Sequence, residues 1–165
     1  MIVETIRELY AYNAWANQKI LTQAALVSPT DFLIDVPGVS FGSLRSTLAH
    51  TMLVQKNWLI RWQGQPIVEW PELTTYPDFP TIQSLWVEIE AKTQTFVAAI
   101  NEAQLERAVE YISRAGQHYS YKLRHLMLHQ VNHATQHRSE AAVILTALGH
   151  SPGNWDYPYY LDEQA

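Results

Sequence analysis

Four of the seven histidines fall within thirteen residues. His125, His129, His133 and His137 recur at intervals of four, inside a stretch whose apolar residues keep helical period. A four-residue step turns an α-helix by about 400°, so adjacent members stack one turn apart on a shared face. An i,i+4 pair of imidazoles can reach one metal ion, as in helical H-x-x-x-H zinc sites. A third ligand must then come from another element. His50 stands alone in the earlier helical segments, in register with Leu44, Leu48 and Met52 near an apolar side. Three neutral imidazoles around a divalent ion leave a position open for water or substrate, the layout of a catalytic zinc site. Such an ion makes a nucleophile near neutral pH by lowering the pKa of bound water or a bound thiol. Imidazole suits zinc, nickel and iron alike, so the donors alone do not select the ion. A non-catalytic reading uses the same donors. Unpaired buried polar groups cost about 1–3 kcal/mol each, and a shared ion gives three of them a partner at once while tying two helices.

Asn13, Asn17, Asn57, Asn132 and Glu140 are candidate helpers. Asn132 directly precedes His133 and therefore points about 100° away from it, which reads as an interhelical hydrogen bond or a cap on the first helix. Glu140 lies three residues after His137 and reads as a solvated or salt-bridged carboxylate. Arg138 reads as half of an inter-helix ion pair. Trp15, Trp58, Trp62 and Trp86 sit at helical spacing and are expected in the core. His129 reads as a core residue or as a support behind a ligand, and His118, His125 and His150 take no site role.

Four helical segments must carry these groups. The first covers about residues 2–26, and Pro29 follows it. The second covers about 42–63, with Ser43 as cap and Gly64 and Pro66 at its end. The third covers about 80–103, and the fourth about 120–148 with Gly149 as C-cap. The connection 64–80 carries four prolines and suits a crossover between helices two and three. Alternating Val109, Tyr111, Tyr119 and Tyr121 predict a short hairpin or extended loop over 107–121. The aromatic tail 151–160 reads as irregular. The expectation is an all-α four-helix bundle over residues 1–165, a fold that builds metal sites from facing helices.

Composition narrows the function. A chain of 165 residues, 47% apolar, is long enough for one domain with its own core. It has no Cys, which excludes thiolate metal ligands, disulfide staples and a cysteine nucleophile. The net charge of −5 and the lack of a basic run argue against a nucleic-acid partner. No apolar window is long enough to span a membrane, and a charged N-terminus argues against a signal peptide, so a cytoplasmic protein is expected.

Three stretches resemble one known family. Tyr12-Asn13-Ala14-Trp15-Ala16-Asn17 is the first. Phe41 to His50, followed by Asn57-Trp58-Leu59, is the second. The third is His129-Gln130-Val131-Asn132-His133-Ala134-Thr135-Gln136-His137-Arg138, followed by Leu148-Gly149-His150. Together they resemble the DinB-like (DinB/YfiT) metal-binding four-helix bundles, the last through an H-x-x-N-H-x-x-x-H-R signature. The resemblance implies a divalent-metal site made of His50, His133 and His137. It also implies a homodimer and a small-molecule substrate, with activity of the low-molecular-weight-thiol S-transferase, thiol-dependent isomerase or hydrolase type. Without Cys, any reacting sulfur must arrive with a small-molecule thiol. The chain departs from the family pattern at Gln136, Ser139 and Glu140, none of them an implied ligand.

Overall fold

A computed structural model describes residues 2–165. Helix α1 spans Ile2–Ala24, α2 Leu44–Trp62, α3 Phe79–Ala99 and α5 Leu123–Ala147. Each begins or ends where side-chain chemistry allows. The Ser43 hydroxyl caps α2 by accepting from the Ser46 N–H at 3.2 Å, and the Asp78 carboxylate caps α3 by accepting from the Thr81 N–H at 2.9 Å. Gly149, at φ +82°, closes α5 and lets the His150 N–H reach the Leu145 carbonyl at 2.8 Å.

These four helices form the bundle. α1 lies against α5 and α3, and α2 lies against the same two, so α1 and α2 sit across a diagonal. That arrangement requires a long connection between α1 and α2, whereas α2 and α3 are neighbours joined by a second long connection. Residues 25–43 join α1 to α2 through a 3-10 turn at Asp31–Leu33, and residues 63–78 join α2 to α3 through another at Leu73–Thr75. Among the described residues no helix is long and apolar enough to cross a membrane.

The third segment ends earlier than expected. Ile100 is extended and Asn101 starts a new short helix, α4 (Glu102–Glu106). Its capping box joins Asn101 and Gln104 reciprocally, a local signal that outweighs the continuing apolar period. The expected hairpin is present. Strands β1 (Ala108–Ile112) and β2 (His118–Lys122) pair antiparallel, with Tyr111 opposite Tyr119 and Val109 opposite Tyr121. The tail differs from expectation. Residues Tyr157–Gln164 form helix α6, which lies on α1. Eight residues make a marginal helix in isolation. Here Tyr160 is buried and meets Tyr12 and Trp15 edge-on at 5.8 and 5.6 Å. Trp15 is accordingly not core. It is half-buried under α6 and donates its indole N–H to Glu163 at 2.7 Å. Trp58, Trp62 and Trp86 are buried as expected.

The core divides in two. One cluster holds Leu48, Met52, Ile82, Trp86 and Leu145, and the other holds Tyr10, Trp62, Val97, Leu123 and Met127. Between them the same helices contribute a buried polar layer of Asn13, Asn17, Thr51, Gln55, Thr93, Gln130 and Arg138. The histidines stand at that level.

Candidate metal centre

His50 comes from α2, and His133 and His137 from α5, the helix α2 packs against. One ring nitrogen of each lies within 4.8 Å of the others. The Nε2 atoms of His50 and His133 are 3.2 Å apart. Two nitrogens bound to one tetrahedral ion at about 2.0–2.1 Å sit about 3.3 Å apart, so this spacing fits a shared ion. The His133 and His137 rings are 4.4 Å apart, as an i,i+4 pair allows. His137 is buried, whereas His50 and His133 are half-buried, so the cluster is reachable from solvent on one side.

The electrostatics suit a cation. Burial, reinforced by His137, holds the His50 imidazolium down to a pKa of about 4. Burial, His137 and His50 together bring His133 to about 3. Both rings are therefore neutral at pH 7 and keep a lone pair for a ligand bond.

Of the two readings of Glu140, solvated or salt-bridged, the structure takes the paired one. Its Oε2 lies 2.8 Å from His137 Nδ1, and its Oε1 accepts from the Ser40 hydroxyl at 2.5 Å. Burial alone raises the Glu140 carboxyl, but the Ser40 and His137 hydrogen bonds outweigh it and leave it below the usual carboxylate range. The ionised carboxylate therefore holds a proton on Nδ1 and aims Nε2 of the same ring at the cluster. A carboxylate behind a ligating imidazole is the arrangement that orients such ligands in metal sites. Alanine at Glu140 is expected to weaken metal affinity by about 10–100-fold, with glutamine intermediate. Competition with a chromogenic chelator measures it, and an unchanged affinity would remove Glu140 from the site.

Two further residues were not singled out by composition or spacing. Ser40 and Phe41 lie in the turn before α2. Phe41 stacks on His50 with centroids 3.9 Å apart and stands 5.3 Å from His137. Gly42 makes this possible. Its φ is +74°, and a Cβ there would strike the Asp35 carboxylate. The Val36 N–H donates to the Gly42 carbonyl and closes the loop. The usable signal was Gly42 itself, directly before a helix cap.

The remaining histidines stay outside the triad. His129 is exposed rather than core, with its ring edge-on to Trp58 at 5.4 Å and 6.0 Å from His133. His118 is exposed on β2, and His125 is exposed and accepts from Arg124. His150 sits at the end of α5. Asn132 is exposed, not an interhelical bond or cap; the α5 side chain that bonds α1 is Arg138. Arg138 is buried, but its partners are amides rather than a carboxylate. Nη1 donates to Asn13 and Asn17 at 3.0 and 2.8 Å, and Nη2 donates to Thr135 at 2.9 Å. Asn57 is half-buried.

The model of the DinB family matches residues 1–165. The chain belongs to the DinB family. Protein DinB of Bacillus subtilis (strain 168) is 23% identical over 161 residues, covering 93% of this chain and 92% of that one. Among solved structures, YfiT from Bacillus subtilis superposes with a TM-score of 0.62 at 14% identity, over 91% of this chain and 87% of that one. YfiT is described as a probable metal-dependent hydrolase with an unusual four-helix bundle topology. At that identity the likeness establishes the fold, the four-helix bundle expected from the sequence. In this DinB-family bundle the three histidines form a cluster suited to a divalent metal.

Proposed function

We propose that this DinB-family protein is a metal-dependent enzyme of the hydrolase or low-molecular-weight-thiol S-transferase type, with His50, His133 and His137 as ligands. The observation that carries the reading is the open triad: three nitrogens converge from two facing helices while two of the rings remain half-exposed. A divalent ion held there would supply Lewis acidity and lower the pKa of a water or thiol at its free position. The chain's own groups do the rest. His50 and His133 stay neutral and offer lone pairs. Glu140 holds the His137 proton on Nδ1, with both carboxylate oxygens already engaged, so it positions rather than abstracts protons. Phe41 covers one face of His50 and keeps water off that side. A substrate enters from the half-exposed side, and with no Cys in the chain any thiol enters with it.

A metal serving only to tie α2 to α5 needs no access, and the half-exposed rings disfavour that reading. The test is turnover. Protein reconstituted separately with zinc, nickel and iron is assayed against small esters and alkyl halides, with and without a low-molecular-weight thiol. Metal-dependent product formation, lost in the His50→Ala protein, is expected. No turnover with any metal, substrate and thiol, alongside a large metal-dependent rise in melting temperature, would favour the helix tie.

A further inference from the structure

Six of the seven arginines are engaged. Arg7, Arg45, Arg107 and Arg138 donate to carbonyls, hydroxyls or amides, and Arg114 and Arg124 pair with glutamates. Arg61 alone, among the described residues, makes neither a hydrogen bond nor an ion pair through its guanidinium. It is held by rings instead. Its Cζ lies 4.5 Å from the Tyr111 centroid, 4.9 Å from Trp58 and 5.5 Å from Trp70. Rings engage the faces of a guanidinium, whereas its N–H donors lie in the plane. Trp58 and Tyr111 stand at 84° to one another, so only one of them can lie flat on it; the rings fix its position, and among the described residues no acceptor takes its N–H donors.

Those donors border a cavity of about 450 Å³ lined by Arg61, Pro66, Ile67, Trp70 and Tyr111, within the size range of small-molecule pockets. Glu110 also borders it, but strand alternation sets it on the ribbon face opposite Tyr111, and it forms no ion pair with Arg61. The cavity lies on the triad's side of α2, although none of its lining residues belongs to the triad. Eleven residues separate His50 from Arg61 on α2, which is three turns with about 20° of drift, so both stand on one face about 16 Å apart. A line of rings joins them, from His133 to His129 at 6.0 Å, to Trp58 at 5.4 Å and to Tyr111 at 5.3 Å.

We propose that Arg61 is an anion-binding subsite, receiving a carboxylate or phosphate of a ligand that lies along the aromatic line. The inference deepens the proposed function, since the far end of that ligand would meet the triad, but the subsite itself requires no metal. A planar guanidinium held in place grips a two-oxygen anion bidentately, and such a charge-assisted pair raises affinity by about 10–100-fold. Trp70 and Tyr111, which line the cavity and are not buried, supply ring surface for the rest of the molecule.

Calorimetric titration of the full chain tests this with three probes: 2-naphthoate, its uncharged amide 2-naphthamide, and inorganic phosphate. Naphthoate is expected to bind at least about tenfold more tightly than naphthamide, and Arg61→Gln is expected to erase that difference. The naphthoate–naphthamide comparison in the unmodified protein stands even where Arg61→Gln folds poorly. Phosphate binding that exceeds naphthoate binding and is lost in Arg61→Gln would identify phosphate as the preferred anion. Equal binding of naphthoate and naphthamide, or no binding of either anion at millimolar concentration, overturns the subsite. His133→Ala separates the two readings. Retained naphthoate affinity in that variant keeps the subsite even if the triad binds no metal. Loss there, with Arg61→Gln unaffected, would move the anion to the triad and overturn the proposal.

Discussion

Alanine at His133 is expected to take bound metal from about one ion per chain to background, and to abolish any metal-dependent turnover with it. His133 is the middle member of the cluster, 3.2 Å from His50 between Nε2 atoms and next to His137 on the same helix face. Its loss leaves two imidazoles on different helices, one ligand fewer than catalytic zinc sites use. Elemental analysis of protein purified without an affinity tag gives the content. Melting curves with and without chelator give a second readout. Metal that binds only the folded state stabilises it by mass action, so the unmodified protein should lose melting temperature on chelation and the variant should not respond. Because the His133 side chain is half-buried and outside both apolar clusters, the variant should fold. Alanine at His50 or His137 should behave alike in metal content. Full metal content in all three variants would sink the ligand assignment.

Arg138→Ala carries the largest expected effect on stability, about 3–5 kcal/mol. The side chain is 2% exposed and bonded to Asn13, Asn17 and Thr135, with Tyr12 5.7 Å from its Cζ. Truncation removes packed volume and leaves two buried amide oxygens without donors, each costing about 1–3 kcal/mol. One term opposes this. Burial disfavours the charged form of Arg138, and removing the guanidinium relieves that cost. No carboxylate compensates the charge, so the relief is real, but orphaned amides and lost volume exceed it. Arg138→Met separates the contributions by restoring volume and not donors. At about 2–4 °C per kcal/mol for a chain of this size, Arg138→Ala should melt about 10 °C lower. A loss below about 1 kcal/mol by urea unfolding would show that the polar layer contributes little.

The residues divide by how local their signals are. Helix period and spacing placed His133 and His137 on one face of α5, and Ser43, Pro29 and Gly149 marked boundaries to within a few residues. Those are properties of short windows. Spacing alone leaves four histidines on that face; family resemblance singles out His133 and His137 with His50, and the structure sets the three rings together. The pairing of Glu140 with His137 is a property of one helix turn, but its second partner, Ser40, is a hundred residues away and reaches it only through the turn that Gly42 permits. An isolated basic residue in a sequence suggests a carboxylate partner, and Arg138 has none. Its actual acceptors belong to α1, which no window around residue 138 contains. Helix α6 escaped for the same reason, since Tyr12 and Trp15 hold it in place from the other end of the chain.

The belt of amides and hydroxyls across the middle of the bundle also acts as a detent. Rods joined only by leucine-like faces can slip past one another by one turn, about 5.4 Å, and still bury nearly the same apolar area. Here such a slip would carry Asn13, Gln55, Thr93 or Arg138 out of its slot and into one of the two greasy halves. Each rod therefore has one longitudinal setting. The imidazoles of α2 and α5 stand at that notch, so their mutual spacing inherits its tolerance from groups that never touch them.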